Sequence, residues 1–296
     1  MTKKDLTINA ESANIISRIG RYCQKERRLR LNEFFSKHSV FTIQELTNFL
    51  AERGSHSPWT RKALLAHHRR QGRLLRVRRG LYLAVPPGVD PASCPVDPYL
   101  LAAKMTDDAV LAYHTALEFF GRAHSVHERF IYLTSHASRP VSFRTYHFRG
   151  VLFPKKLRDK DRETFAVNTA ERAGINVKVT SLERTLVDVL DRPNLAGGWE
   201  EIWRSLESVE FFDLDQVVEY ALLLDNATTV ARVGFFLEQH RETLMVDDAH
   251  LKRLQERRPS KPHYMERDGR RRGHFASAWN LVVPMEVVRR SWREVL

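Results

Sequence analysis

From Arg73 to Arg79 four of seven residues are arginine and none is acidic. Just before that run, Ser57, Trp59, Thr60, Lys62 and Arg70 sit on or beside a segment with helical spacing. Clustered cations neutralise phosphates, while hydroxyl, indole and ammonium groups on a helix can reach base edges, so together they form a candidate DNA-contacting set. The other constellations carry less chemistry. Gly197-Gly198 followed by Asp213-Leu214-Asp215 imitates a nucleotidyltransferase signature, but those aspartates should alternate on a strand. Leu214, Val217, Val218 and Ala221 instead recur at helical spacing, which makes Asp213 an N-cap. A nuclease needs a carboxylate two residues before a strand lysine to hold a metal, and before Lys178 that position is Asn176. Among 13 histidines, His67 and His68 are adjacent, and His124 and His127 have no third ligand at a recognised spacing. Neither HExxH nor GxxxxGK occurs. The expectation is therefore no catalytic residues, no metal and no cofactor.

The elements that must position the basic set are readable in order. Leu31, Phe34, Phe35 and His38 share one helix face. A second helix follows in VFTIQELTNFLAERG, where Thr42 and Glu45 form a capping box, Ile43, Leu46 and Leu50 face inward, and Gly54 ends the helix. Ser57 and Pro58 then supply an N-cap and a proline at the first helical position of a third helix, over about 58–71 and stopped by Gly72. RLLRVRRGLYLAV predicts two strands around an Arg79-Gly80 turn. Three helices and a terminal hairpin make a winged helix-turn-helix. On a wheel, Leu64, Leu65 and His68 face the core, while Trp59, Ala63, Ala66 and Arg70 lie opposite with Lys62 and Thr60 at the margins. That assigns Ser57, Trp59, Thr60 and Lys62 to base or groove contact, and Arg70, Arg73, Arg76, Arg78 and Arg79 to backbone or wing contact. Two readings stay open for Trp59, which could instead anchor the third helix on the first, and Arg61 projects near the core side.

Charge and composition agree with a divided chain. The formal charge is +12, yet residues 1–90 hold 18 basic against 7 acidic residues, and residues 91–296 hold 30 against 29. A basic head on a near-neutral body points to a polyanion-binding module joined to one with another task. VPPGVDPASCPVDP carries five prolines and a glycine, a composition that breaks regular structure. The expected domains are a helical extension over 1–28, a winged helix over 29–86, a linker over 87–97 and an α+β domain over 98–296. Ile15, Ile19 and Tyr22 in the extension could brace the head or pair two subunits. Two cysteines are too few for a disulfide framework or a four-thiolate zinc site. The longest uncharged stretch, Gly273 to Met285, is too short to span a bilayer, and MTKKDLTINAES lacks a signal-peptide core, so a cytoplasmic, non-membrane protein is expected.

The larger domain reads as mixed. DPYLLAAKM and DDAVLAYHTALEFFG look helical, and RFIYLTS, SFRTYHFRG and INVKVT look like strands. A Thr180–Glu183 capping box opens TSLERTLVDVLD, and helices follow over 197–208, 214–224, 227–240 and 247–257, before an Asp268-Gly269 hairpin in the basic turn ERDGRRRGH and the apolar AWNLVVP. The fold class is α+β: a winged helix, then a small sheet with a helical bundle. The order LLRVRRGLYL, DDAVLAYHTALEFFG, VTSLERTLVDVLDRPNLAGGWEE resembles the AbiEi family of type IV toxin-antitoxin antitoxins from about residue 30 onward. The resemblance implies a phage-defence autorepressor that binds double-stranded DNA as inverted repeats at its own promoter, with a homodimer as one arrangement on DNA. It also implies a C-terminal domain that counteracts an AbiEii-type nucleotidyltransferase toxin. Within that frame Arg184 and Asp188 are either an i, i+4 helix ion pair or toxin-facing residues. The rival classes are a DNA-targeted, metal-dependent nuclease or nucleotidyltransferase, and a docking protein without DNA specificity.

Overall fold

A computed structural model describes residues 31–52, 54, 57–266, 273–290 and 292. The expected extension over 1–28 and the Asp268-Gly269 turn lie outside the described residues. The chain divides into two units, one ending at Val96 and one starting at Asp97.

In the first unit, α1 (31–37) leads into β1 (Val40–Thr42), α2 (Ile43–Ala51), α3 (Pro58–Arg70), β2 (Leu74–Arg78) and β3 (Leu81–Ala84). Leu31, Phe34 and Phe35 of α1 meet Phe41, Leu46, Leu65, Leu74 and Tyr82 in one core. Phe34 stands edge-on to Phe41 with ring centroids 5.2 Å apart, an arrangement aromatic quadrupoles favour. The hairpin gains a third strand, which the sequence pattern does not predict, from the residues just before α2. Val40, Phe41 and Thr42 pair antiparallel with Leu83, Tyr82 and Leu81, so the sheet order is β1-β3-β2. Thr42 serves both elements: it is the last strand residue, and its Oγ1 accepts from the Glu45 amide at 3.2 Å while its own amide donates to Glu45 Oε2 at 2.6 Å. A strand of three residues is too short to show a period, and the capping box hid it.

The second unit opens with α4 (Pro98–Ala103), β4 (Val110–Leu111), α5 (His114–Phe119), β5 (Arg129–Thr134), β6 (Val141–Phe143), β7 (Tyr146–Leu152), α6 (Lys155–Arg158), β8 (Val167–Arg172) and β9 (Ile175–Thr180). Their strands form one mixed six-stranded sheet, in the order β6-β7-β5-β4-β9-β8. In β5, Ile131 and Leu133 join the main core, while Phe130 packs edge-on against Tyr99 and Tyr146 from the alternate face. DDAVLAYHTALEFFG is a strand followed by a short helix, rather than one helix. Tyr113 breaks it with φ of 55°, and the buried run from Ala109 to Leu117 leaves no polar alternation from which to read a period. VNTAER, unassigned in the sequence reading, is the edge strand β8 paired with β9.

The helical half comprises α7 (Leu182–Asp191), α8 (Trp199–Glu207), α9 (Leu214–Leu223), α10 (Ala227–Gln239) and α11 (Asp248–Gln255). The cap of α7 is Ser181, whose Oγ accepts from the Arg184 amide, and not Thr180. Thr180 is buried and its hydroxyl lies 2.8 Å from that of Thr185, while Glu183 accepts from the Asp213 amide. The chain closes with β10 (His263–Tyr264), β11 (Gly273–Ala276), β12 (Leu281–Pro284) and α12 (Met285–Arg289). Among the described residues β10 and β11 both pair with β12, which lies between them, parallel to β10 and antiparallel to β11. The turn between β11 and β12 runs through Ser277–Trp279 to Asn280 at φ of 47°, which asparagine tolerates better than most residues. Trp279 crosses Gly234 of α10 so closely that a Cβ there would lie 2.1 Å from the indole. Gly234→Ala is therefore expected to destabilise the unit by about 1–3 kcal/mol in urea unfolding, although alanine is the better helix former.

Candidate nucleic-acid interface

The third helix of the first unit starts at Ser57, whose Oγ accepts from the Thr60 amide at 3.4 Å, with Pro58 in the first turn. Leu65 and His68 are buried and Leu64 half-buried, which turns the opposite face outward. On that face Trp59, Lys62, Ala63, Ala66 and Arg70 are exposed, as is Ser57 at its start, and Thr60 is half-buried at the margin. Trp59 is 79% exposed, so it does not anchor α3 on α1. Arg61 turns inward: its Nη1 donates to Thr47 Oγ1 at 2.8 Å, and Thr47 donates to the Ile43 carbonyl, so α3 is fixed on α2 by a side-chain bridge.

The hairpin sorts its arginines by environment. Arg76 and Arg79 are exposed and Arg78 is half-buried, with its Nη1 on the Arg79 carbonyl at 3.2 Å. A register shift between Arg76 and Arg78 bulges the strand before the turn, where Gly80 takes φ of 85°. Arg73 differs from the other three. Its guanidinium donates to Asn32 Oδ1 at 2.5 Å and lies 5.7 Å from the Phe35 ring centroid, so it ties the hairpin base to α1. Sequence spacing could not separate Arg73 from Arg76, because the partner Asn32 lies 41 residues upstream. Residues Ser57 to Val89 contain no acid, so this helix-and-hairpin surface has no internal neutraliser.

Residues 29–85 match the AbiEi antitoxin family of transcriptional regulators. Over these residues the basic head is similar to the regulators of that family. The match covers α1 to β3 and stops before Pro86. Over most of the chain the likeness is one of fold: the RV2827C protein from Mycobacterium tuberculosis superposes with a TM-score of 0.55 over 89% of this chain and 94% of its own, at 19% identity. No curated protein matches the chain. Residues 29–85 thus resemble a family of transcriptional regulators, in an α+β protein, and among the described residues no helix is long and apolar enough to cross a membrane.

The second unit holds four polar features. Arg184 and Asp188 are inside it, 0% and 1% exposed. The Arg184 Nη1 donates to the carbonyls of Glu163 and Phe165 at 2.8 and 2.6 Å, and its Nε lies 3.5 Å from Asp188 Oδ2. Burial pushes the Asp188 carboxyl up to about 6 against the pull of Arg184 and the Tyr220 hydroxyl, which donates at 2.7 Å. Both side chains thus meet each other inside the unit rather than solvent. Asp213 caps α9 through the Gln216 amide, and Asp215 pairs with Arg253 at 2.7 Å, so these aspartates are employed by helix ends. The segment DRPNLAGGWEE rims a cleft of about 1190 Å³ lined by Asp191, Arg192, Trp199, Thr228 and Tyr264.

The fourth feature was invisible in sequence. His114, His127 and Glu201 bring possible ligand atoms within 4.8 Å of one another, although 87 residues separate His114 from Glu201. The two imidazoles stack at 3.8 Å with planes 11° apart, so their nitrogen lone pairs lie in two nearly parallel planes. Glu201 accepts from the amides of His124 and Ser125 and from the hydroxyls of Ser125 and Ser205, with His114 Nε2 at 3.0 Å. The geometry is that of a hydrogen-bonded latch holding the loop before β5 on α8. Burial raises the Glu201 pKa, but the bonds from His114, Ser125 and Ser205 outweigh it and hold the group down at about 2. Burial, with His114 second, lowers His127. Both shifts oppose protonation in the folded state, so stability should fall with pH in two windows. One begins below 6.5, the ordinary histidine value; the other runs from 4.5, the ordinary glutamate value, down to about 2. Urea midpoints measured against pH should show the lower window flattened in Glu201→Gln.

Proposed function

We propose that this protein is a DNA-binding autorepressor and antitoxin without catalytic activity. The acid-free face of α3 and the hairpin carries the reading. Ser57, Trp59, Thr60 and Lys62 contact bases or the groove, and Arg70, Arg76, Arg78 and Arg79 contact backbone or the wing's groove. Arg73, also assigned to DNA from sequence, positions the hairpin instead. The target is double-stranded DNA at its own promoter, arranged as inverted repeats that two copies of the chain occupy. The region 29–86 is the DNA-binding domain, joined by 87–97 to an antitoxin domain over 98–296 that counteracts an AbiEii-type nucleotidyltransferase toxin in a cytoplasmic, type IV phage-defence system. The match of residues 29–85 to a regulator family supports the first half; the antitoxin half rests on that family's description. A reporter driven by the native promoter tests it. The full chain should silence the reporter, and Arg76→Ala/Arg79→Ala should release it while still protecting cells that express the toxin. Silencing by the double variant as complete as by the parent chain would refute the interface.

A further inference from the structure

Five tryptophans occur in the chain, and four of them, Trp199, Trp203, Trp279 and Trp292, are buried in the second unit. Trp59 stands apart at 79% exposure, in the first turn of α3. An indole left in water forgoes a large burial term, and a soluble surface seldom carries one without a partner for it. Its neighbours give that partner a chemistry. Ala63 and Ala66 follow at i+4 and i+7, exposed on the same helix face, so the three side chains form an apolar stripe. Lys62 and Arg70 flank it, and no acid lies between Ser57 and Val89. A surface that is apolar along its centre and cationic at its margins fits a partner with the inverse pattern: phosphates at the rim and apolar groups on the floor.

In the DNA major groove one base edge is apolar, that of thymine at its C5-methyl group, which cytosine lacks. We infer that Trp59, with Ala63 and Ala66, reads thymine methyl groups and is a specificity-determining residue of the interface. The inference rests on the DNA-binding reading above and adds a base identity to it. Residues near the start of a recognition helix are those that reach base edges, which is where Trp59 lies. The two alanines keep the stripe low enough for the helix backbone to approach the groove floor.

Because the other four indoles are buried, acrylamide quenching of the full chain reports on Trp59 without any label. The probe is the duplex upstream of the protein's own gene, prepared once with thymine and once with uracil in its place, so that only the C5-methyl groups differ. The wild-type chain should bind the uracil duplex more weakly, by about fourfold for each methyl covered. Trp59→Ala should bind the thymine duplex more weakly and show little further loss on uracil, with Trp59→Phe between the two. In the wild-type complex acrylamide should lose access to the indole. Trp59 is exposed, so its removal leaves no cavity, and circular dichroism of each variant checks the fold. An equal uracil penalty in wild type and Trp59→Ala, or quenching unchanged at saturating DNA, would overturn the assignment. Steep salt dependence without a uracil penalty would overturn this inference alone and leave the DNA-binding reading standing. Absence of binding to either duplex would overturn both.

Discussion

Replacing Arg76 and Arg79 together by alanine should lower the slope of log K against log salt by about 1.8, since each neutralised phosphate contributes about 0.9. Both side chains are exposed on the hairpin, so their loss should leave the unfolding free energy of the head within about 0.5 kcal/mol of the parent. Arg73→Ala provides the contrast. Its guanidinium is spent on Asn32 and the Phe35 ring, so the substitution should reduce stability and leave the salt slope nearly intact. Equilibrium titration of the full chain with labelled duplex at several salt concentrations separates the two effects. An unchanged slope in Arg76→Ala/Arg79→Ala would mean that the hairpin does not touch phosphate.

The second large effect concerns the interior of the other unit. Arg184→Ala should destabilise it by about 3–5 kcal/mol, because removing one member of a buried ion pair strands the other. Asp188 would keep only the Tyr220 hydroxyl, and the carbonyls of Glu163 and Phe165 would lose their donor. Replacing both members by apolar residues, Arg184→Met with Asp188→Leu, should recover much of that loss, since the pair itself bears a large desolvation cost. Urea unfolding measures both. A stable Arg184→Ala protein that merely failed to protect against a toxin would instead place Arg184 on a contact surface.

The head was legible because its signals are local. Thr42 with Glu45, Ser57 with Pro58, and Gly72 and Gly80 at positive φ punctuate α2, α3 and the hairpin at positions that sequence alone marks. The outward face of α3 followed from the same spacing. What escaped was long-range. Strand β1 exists because Leu81–Leu83 is there to pair with it, and Arg73 turns inward because Asn32 waits on α1. In the second unit the central strands are buried on both sides, which erases the alternation that would have separated β4 from α5. The His114–His127–Glu201 latch draws on three separate segments, and no spacing rule joins them. Arg184 and Asp188 show the converse hazard, since an i, i+4 charge pair looks the same in sequence whether it lies on a surface or in a core.

The most direct test of the central claim is a footprint of the full-length chain on the DNA upstream of its own gene, with affinity measured in parallel on unrelated duplex at the same salt. The account predicts protection confined to inverted repeats and binding there at least about a thousandfold tighter than to unrelated DNA, the low end for sequence-specific regulators. Equal affinity for both duplexes with no protected segment would contradict it, and would make the basic face a general polyanion surface.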